Sequence, residues 1–434
     1  MATYTVPGDF ATLALAAAGV PAGANTIVVS AGTYSETLTD SRSGTTGNYD
    51  RYWLASGTVY INGMSLTGNN LKVEGFTMSG KSVPAWYGLI YMNGNYIHLK
   101  NCTVTNTNMN GYTKIVLMYH SDTNTDPYPQ YNIIEGCTFN TATGTNIPVI
   151  HMRGSHNSAI DNEFLNFTGM DCFYIIGDSH RIAGNYAHDF THNHQHIDFV
   201  QVYGTVSEDS FTNFIIEDNF VYWTDAPTLA DDSTCFVMLG VGAANGIIRN
   251  NISYAVQGVS INGGDNHDIE IYNNTFISNL SWSPYGTSRG VGVAAKDGPA
   301  VYNVWVYNNV FVDIWELHIL FTGTNLNADY NLHYDSDAGT PGTSGGTWPK
   351  THDVWMQSPL LSNIGGSSAT DYKLTASSPA IDAGVNLYSE GVVDDYDGVA
   401  RPSGVAPFEI GAYEHVSGAT PVTIPSPGSI YITL

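Results

Sequence analysis

A chain of 434 residues with 14 Lys and Arg against 39 Asp and Glu carries a formal net charge of −25, which excludes a nucleic-acid binder, because phosphate backbones are held by clustered Lys and Arg. Only 12% of the residues are charged, yet 43% are hydrophobic and 12% aromatic, which excludes a disordered chain. No apolar run approaches the ~18 residues of a membrane-spanning helix, and the plentiful Gly (45) and Tyr (28) suit short strands joined by many turns.

In chain order, Met1–Phe10 has neither the basic start nor the apolar centre of a secretion leader. Asp9–Ala18 reads as a short capped amphipathic helix, and Thr26–Val29 as a strand leading into Ala31-Gly32-Thr33-Tyr34. From Val73 a phrase recurs: an aliphatic residue, a polar one, Gly or Asn, then often a second Asn. It appears as VEGF (Val73–Phe76), LKNC (Leu99–Cys102), IEGC (Ile134–Cys137), IDNE (Ile160–Glu163), IAGN (Ile182–Asn185) and IEDN (Ile216–Asn219). It continues as IRNN (Ile248–Asn251), IYNN (Ile271–Asn274) and VYNN (Val306–Asn309), with a degraded copy at Asp329–Leu332. The third positions (75, 101, 136, 162, 184, 218, 250, 273, 308) lie 22 to 35 residues apart.

A unit that short buries no core by itself, whereas stacked neighbours do. Helical periodicity is absent, and the hairpin turns of a propeller are missing. Asn or Gly at a fixed place fits a left-handed turn repeated in every coil, with the Asn side chains stacked into a hydrogen-bonded ladder. The fold expected is all-β, a right-handed parallel β-helix of about ten coils. A cap with a short helix occupies residues 1–56, the coils 57–335, and a C-terminal loop-and-strand cap with a tail 336–434. Cys102, Cys137, Cys172 and Cys235 sit in apolar segments without C-x-x-C spacing and read as buried free thiols.

Each coil has a second strand: Ile115–Tyr119, Val149–Arg153, Cys172–Ile176, Phe199–Tyr203, Cys235–Leu239, Gly258–Asn262 and Gly290–Ala294. Strand side chains alternate between faces. The apolar phase (Val116/Met118, Ile150/Met152, Phe173/Ile175, Val200/Val202, Phe236/Met238, Val259/Ile261, Val291/Val293) is predicted to point inward. The other phase then faces out, and His151, Tyr174 and Gln201 form one column beside Tyr119, Arg153, Ile176 and Tyr203, with Asn262 further along. Arg grips a carboxylate bidentately and Tyr rings stack on pyranose faces, so this wall points to an anionic sugar. The bland alternative is an ordinary polar sheet face.

Next to it, His188–Gln201 holds four histidines in nine residues. His196 and Asp198 suit a base and its orienting acid, or two metal ligands, against the alternative of a structural His cluster; no H-E-x-x-H pattern occurs. Tyr128, Trp223, Trp282 and Tyr285 lie in the insertions that lengthen four coils, as sugar platforms or as loop packing. Lys114 and Lys296 are candidate distal cations. Asp171, Asp178, Asp198, Asp231 and Asp232 are the candidate carboxylates of a hydrolase, Asp171 and Asp198 being in register. Calcium on clustered Asp oxygens is the one cofactor that suggests itself.

The N-terminal helix and AGTY segment, together with Ser378–Gly384, Arg401-Pro402 and Glu409–Glu414, resemble the opening and closing segments of secreted or phage-borne β-helix proteins. The chain as a whole resembles the pectate-lyase-like superfamily of carbohydrate-active β-helix proteins. His196-Ile-Asp198-Phe-Val-Gln201 is similar to an H-x-D-x-[IV]-Q stretch in bacterial members. The resemblance implies an extracellular protein acting on a polysaccharide, by the lyase chemistry common among such folds. Neither the vWiDH-like and NEED-like elements of those lyases nor the ordered polygalacturonase motif set is present, so no catalytic residue carries over.

The function expected is β-elimination from an acidic polysaccharide by a monomer, with no nucleic-acid or membrane partner. Arg153 neutralises the uronate, His151 or His196 takes the proton, and Tyr174 or Tyr203 returns it. Asp198 and Gln201 complete the catalytic set, and Tyr119, Asn262, Lys296, Trp223 and Trp282 bind substrate. A glycoside hydrolase using paired Asp, a C5-epimerase and a non-catalytic glycan-binding surface protein are the alternatives.

Overall fold

The structure, a computed structural model, describes residues 1–46, 49–80, 88–108, 114–119, 128–191, 197–202, 211–223, 234–278, 288–297, 300–337, 339–344 and 346–415; for 108, 141–147 and 294–297 it describes the backbone only. Every pairing between named strands is parallel and joins one coil to a later one: Val116–Met118 pairs with Thr138–Ser155, which pairs with Glu163–Asp178, and so on along the chain. This is a parallel β-helix, and each turn contributes to three sheets. The site sheet contains Ile90–Met92, Val116–Met118, Ile197–Val202, Thr234–Leu239, Gln257–Gly263, Arg289–Asp297 and Leu317–Phe321, with the C-terminal parts of the two long strands. The second sheet runs from Ala2–Val6 and Asn25–Thr33 through Ile133–Glu135 to Thr324–Asp329. The third includes Thr103–Asn108, Tyr186–His188, Phe220–Tyr222 and Leu332–Tyr334. Apolar side chains of all three meet inside, where Phe139, Phe164, Phe173, Phe199 and Phe236 form a ring-on-ring stack with centroids 5.0–5.4 Å apart.

The repeated phrase forms the turn between the second and third sheets. Gly75, Asn101, Gly136, Gly184, Asp218, Asn250, Asn273 and Asn308 have φ between 51° and 82°. In the fourth copy the left-handed residue is Asp161 (φ 54°) and not Asn162, so that phrase begins one residue earlier than its letters suggest. The residue after each turn builds the ladder. The backbone N–H groups of Asn162, Asn185, Asn219, Asn251, Asn274 and Asn309 each donate to the side-chain Oδ1 of the next Asn at 3.0 Å. Asn331 ends it on Asp353 Oδ1 (2.9 Å). Each Nδ2 also reaches a carbonyl of the preceding coil, as Asn219 does to Ile182 O at 3.0 Å. These side chains are at most 1% exposed, and their pairing removes the penalty of burying an amide. Cys102 and Cys137, both buried free thiols, hold the first two ladder positions.

At the N-terminus the helix Leu13–Gly19 buries Leu13 and Ala16, with Thr12 as its N-cap. Its dipole is complemented at both ends. Glu36 accepts the N–H groups of Leu13 and Ala14 (3.4 and 3.0 Å), while Arg42 and the fully buried Arg51 donate to the carbonyls of Val20 and Pro21 (2.9 and 2.8 Å). Arg51 is held in turn by Asp40 at 2.8 Å.

The C-terminal segment lies along the side of the coils. Tyr186 and Tyr222 donate to Ser367 O and Gly365 O (3.1 and 3.0 Å), and Asn250 and Asn308 to Asp394 O and Val385 O (2.9 and 2.8 Å). Leu361, Tyr372, Leu374, Ala380 and Ile410 pack with Phe220, Ile252, Val310 and Leu332 from the third sheet.

Candidate functional site

On the site sheet, Ile150, Phe173, Val200, Val237, Val259 and Val291 occupy one inward column, fully buried. The outward column next to it runs Leu117, His151, Tyr174, Gln201, Met238, Ser260, Gly292. His151, Tyr174 and Gln201 are thus consecutive rungs, ~4.8 Å apart by sheet geometry. In Thr234–Leu239 the inward residues are Val237 and Leu239, and Met238 faces out. This reverses the expected Phe236/Met238 phase. Phe236 is buried as well and stacks on Phe199, so all of Cys235, Phe236 and Val237 are enclosed and alternation is lost at the start of the strand.

His151 differs from the exposed side chain expected of an outer wall. It is 9% exposed, flanked by Tyr174 (centroids 4.8 Å apart, edge to face) and Tyr119 (6.3 Å). Neither ring nitrogen has a hydrogen-bond partner. Burial, then the positive charges of Lys114 and Arg153, push its pKa down to about 3, so the imidazole is neutral with an available lone pair at any ordinary pH. Two residues further along the same strand and face, the Arg153 guanidinium lies over the rings of Tyr119 (5.4 Å) and Tyr128 (5.1 Å). Lys114, expected to be a distant cation, is close enough to act on His151, and its own pKa is lowered by burial. The signal for this lay in coil register, since Lys114 stands two residues before Val116, which pairs with Ile150.

Several expected residues stand elsewhere. Asp198 is fully buried and accepts the Cys235 N–H at 3.0 Å, while Asp171 accepts the Asp198 N–H at 2.7 Å. These carboxylates cap backbone inside the solenoid; burial pushes the Asp198 pKa well up. Trp223 is 1% exposed and packs on Phe190 (5.1 Å), a core residue and not a sugar platform. Asp178 accepts from Thr212, Asn213 and Ser179 (2.7, 2.6 and 2.8 Å); burial raises its pKa, but these bonds prevail and lower it. His188, which opens the His-rich run, belongs to the third sheet and stacks on Tyr186 (4.1 Å). Asn262 is half-buried and accepts from Ser260 Oγ at 2.9 Å. Lys296 lies in Arg289–Asp297, where only its backbone is described. His196, Tyr203, Trp282, Tyr285, Asp231 and Asp232 lie outside the described residues. Among the described residues, no three His, Cys, Asp or Glu side chains converge to hold a metal ion, and no helix is long and apolar enough to cross a membrane.

No family model matches the chain, and no curated protein does. Among solved structures it is similar to XylC in complex with xylose, at 10% identity over 96% of this chain and 98% of that one, with a TM-score of 0.59. It is also similar to pectate lyase Pel9A (18% identity, 96% and 97% covered, TM-score 0.46). A third is the PL6 family polysaccharide lyase Pedsa3628 from Pseudopedobacter saltans (13%, 80% and 87%, 0.46). At such identities likeness establishes fold alone, and fold does not fix chemistry. The fold the chain shares is the parallel β-helix that its own strand pairing shows.

Proposed function

We propose that the protein is a polysaccharide lyase that cleaves a uronate-containing polysaccharide by β-elimination on the outer face of the site sheet. The observation that carries this reading is a buried His151 without a hydrogen-bond partner, set between Tyr119 and Tyr174 with Arg153 two residues along the same face, in a chain of net charge −25. Arg153 binds the uronate carboxylate and lowers the pKa of the adjacent C5 proton. His151 takes that proton. The C5 electron pair forms the C4–C5 double bond, the C4–O bond breaks, and Tyr174 gives its phenolic proton to the departing oxygen. Tyr119 and Tyr128 hold the Arg153 guanidinium over their rings and so fix its position. His196 and Tyr203 are the second candidates for base and acid. The His151 nitrogens are enclosed in the free protein, so sugar entry shifts a flanking ring, and the base then exposed has no bond to break. Action on a polysaccharide places the protein outside the cell.

A hydrolase needs two carboxyl groups in the groove, ~5–9.5 Å apart, whereas the in-register pair Asp171 and Asp198 is buried, each accepting a backbone N–H. The test is incubation with polyuronates and acidic heteropolysaccharides, following ultraviolet absorbance of the unsaturated product alongside new reducing ends. Both signals should rise together, and His151→Ala and Arg153→Ala should abolish them with the circular dichroism of the fold retained. Reducing ends without absorbance, or full activity in both variants, overturns the reading.

A further inference from the structure

The turn that leads from the site sheet into the second sheet places one residue of each coil in the left-handed region. In the later coils that residue is Ser179, Asn213, Asn245, Asp268, Asn303 and Asn325, with φ between 53° and 58°. These are short polar side chains of the kind that bear this conformation best. In three consecutive coils the residue is instead Tyr96, Tyr131 and His156, at 55° to 57°, and a tyrosine is a conformational outlier there.

The three rings stack along the axis of the solenoid. Tyr96 lies on Tyr131 with centroids 4.8 Å and planes 7° apart, and Tyr131 on His156 at 4.6 Å and 25°. Tyr49 covers the first end, tilted against Tyr96 at 6.5 Å, with its hydroxyl donating to Tyr131 O at 3.2 Å. The other end is open: among the described residues His156 stacks on no other ring. In the next coil the place of a fourth ring falls to Ser179, whose hydroxyl is turned onto Asp178 Oδ2 (2.8 Å). In the coil after that, Asn213 donates to Asp178 Oδ1 (2.6 Å). His156 and Asn213 stand two rungs apart, roughly 9.6 Å, the space of one ring with van der Waals contact (~3.5–4 Å) on each side. Tyr131 and His156 are exposed. His156 comes three residues after Arg153, and Tyr131 three after Tyr128, whose ring lies 5.1 Å from the Arg153 guanidinium.

We propose that this notch is a sugar subsite at the edge of the groove, where a pyranose of the polysaccharide continues the stack by lying on the open face of His156. The face takes the C–H side of the sugar, and the Asp178 carboxylate, fixed by Thr212, Asn213 and Ser179, accepts from its hydroxyls. The tyrosines beneath hold the imidazole in its plane. The proposal rests on the reading above that the site sheet binds a polysaccharide, and gives that polymer a second point of hold beside Arg153.

The test is affinity electrophoresis of the full chain in polygalacturonate, alginate and hyaluronan gels, with initial rates of unsaturated product from the same polymers. On the polymer that the parent binds best, His156→Ala should weaken retention and raise KM about fivefold, the scale of one stacked ring. The loss should fall on KM and not on kcat, because the subsite lies away from the reacting atoms. Ser179→Tyr should do the same by filling the notch with a ring of the protein, with the circular dichroism of the fold retained. His156→Trp, a wider platform, should tighten retention. Unchanged retention and KM in both His156→Ala and Ser179→Tyr, whatever their melting temperatures, would overturn the subsite and leave the lyase reading standing. Weaker retention in both, with no unsaturated product even from the parent, would overturn the lyase reading and keep the subsite.

Discussion

Two columns of stacked polar side chains run along this molecule, and they are built on opposite terms. In the asparagine ladder each rung repeats the same residue, each Oδ1 accepts from the backbone of the coil before, and each Nδ2 reaches a carbonyl. On the site sheet no two neighbours in the column Leu117, His151, Tyr174, Gln201, Met238 are alike, and His151 bonds to nothing. The ladder is complete in itself and serves folding. The unlike column leaves the buried His151 unsatisfied.

The largest effect that separates the two is on turnover. His151→Ala should reduce kcat about 1,000-fold, within the range of losing a general base, while His151→Phe, equally inactive, should melt at or above the parent temperature because it removes an unsatisfied buried polar group. A melt well below the parent would mark His151 as a structural residue like those of the ladder.

The converse substitution is Asn219→Leu. It leaves the Asn185 N–H without its acceptor and removes donors to Ile182 O, Glu217 O and Asn251, so stability to urea should fall by about 3 kcal/mol with kcat unchanged. Retained stability would deny the ladder its role.

Acid sharpens the contrast. His151 has its folded pKa depressed from an ordinary 6.5 to about 3, so below pH 6.5 the unfolded chain binds a proton that the folded chain refuses. The stability present above that pH is lost as pH falls toward 3, at no more than about 1.4 kcal/mol per unit. Urea titrations at pH 7.5 and 5 should show His151→Gln losing less stability than the parent across that interval; an equal loss would mean that His151 titrates normally. The smallest effect expected is that of Tyr186→Phe, which removes one bond to the C-terminal segment and should cost about 1 kcal/mol in the same assay.

The coil repeat, the left-handed turns, the stacked Asn and the inward valines other than Val237 were legible because each follows from a local rule applied many times over. One irregular copy was enough to mislead: in IDNE the Asp takes the positive φ, since Asp tolerates that conformation nearly as well as Asn. The juxtaposition of His151, Tyr174, Gln201 and Arg153 was also legible, because strand phase and coil register are all it requires. What escaped the sequence was depth. Asp198 shares the inward phase of Val200 and Val202, and it is sealed inside at the start of its strand. Trp223 in an insertion reads as a platform until Phe190 is found packed on it. Lys114 seemed remote because its distance along the chain hides that it is one rung away.

A stack of coils is by nature a one-dimensional polymer, in which each unit senses only the next and an end can unravel turn by turn. The C-terminal segment breaks that rule here. By bonding to Tyr186, Tyr222, Asn250 and Asn308 in turn, it ties coils more than a hundred residues apart to a common brace. Peeling any one of them requires lifting a shared batten, so this stretch of the solenoid should open as a single block in hydrogen exchange, with one common protection.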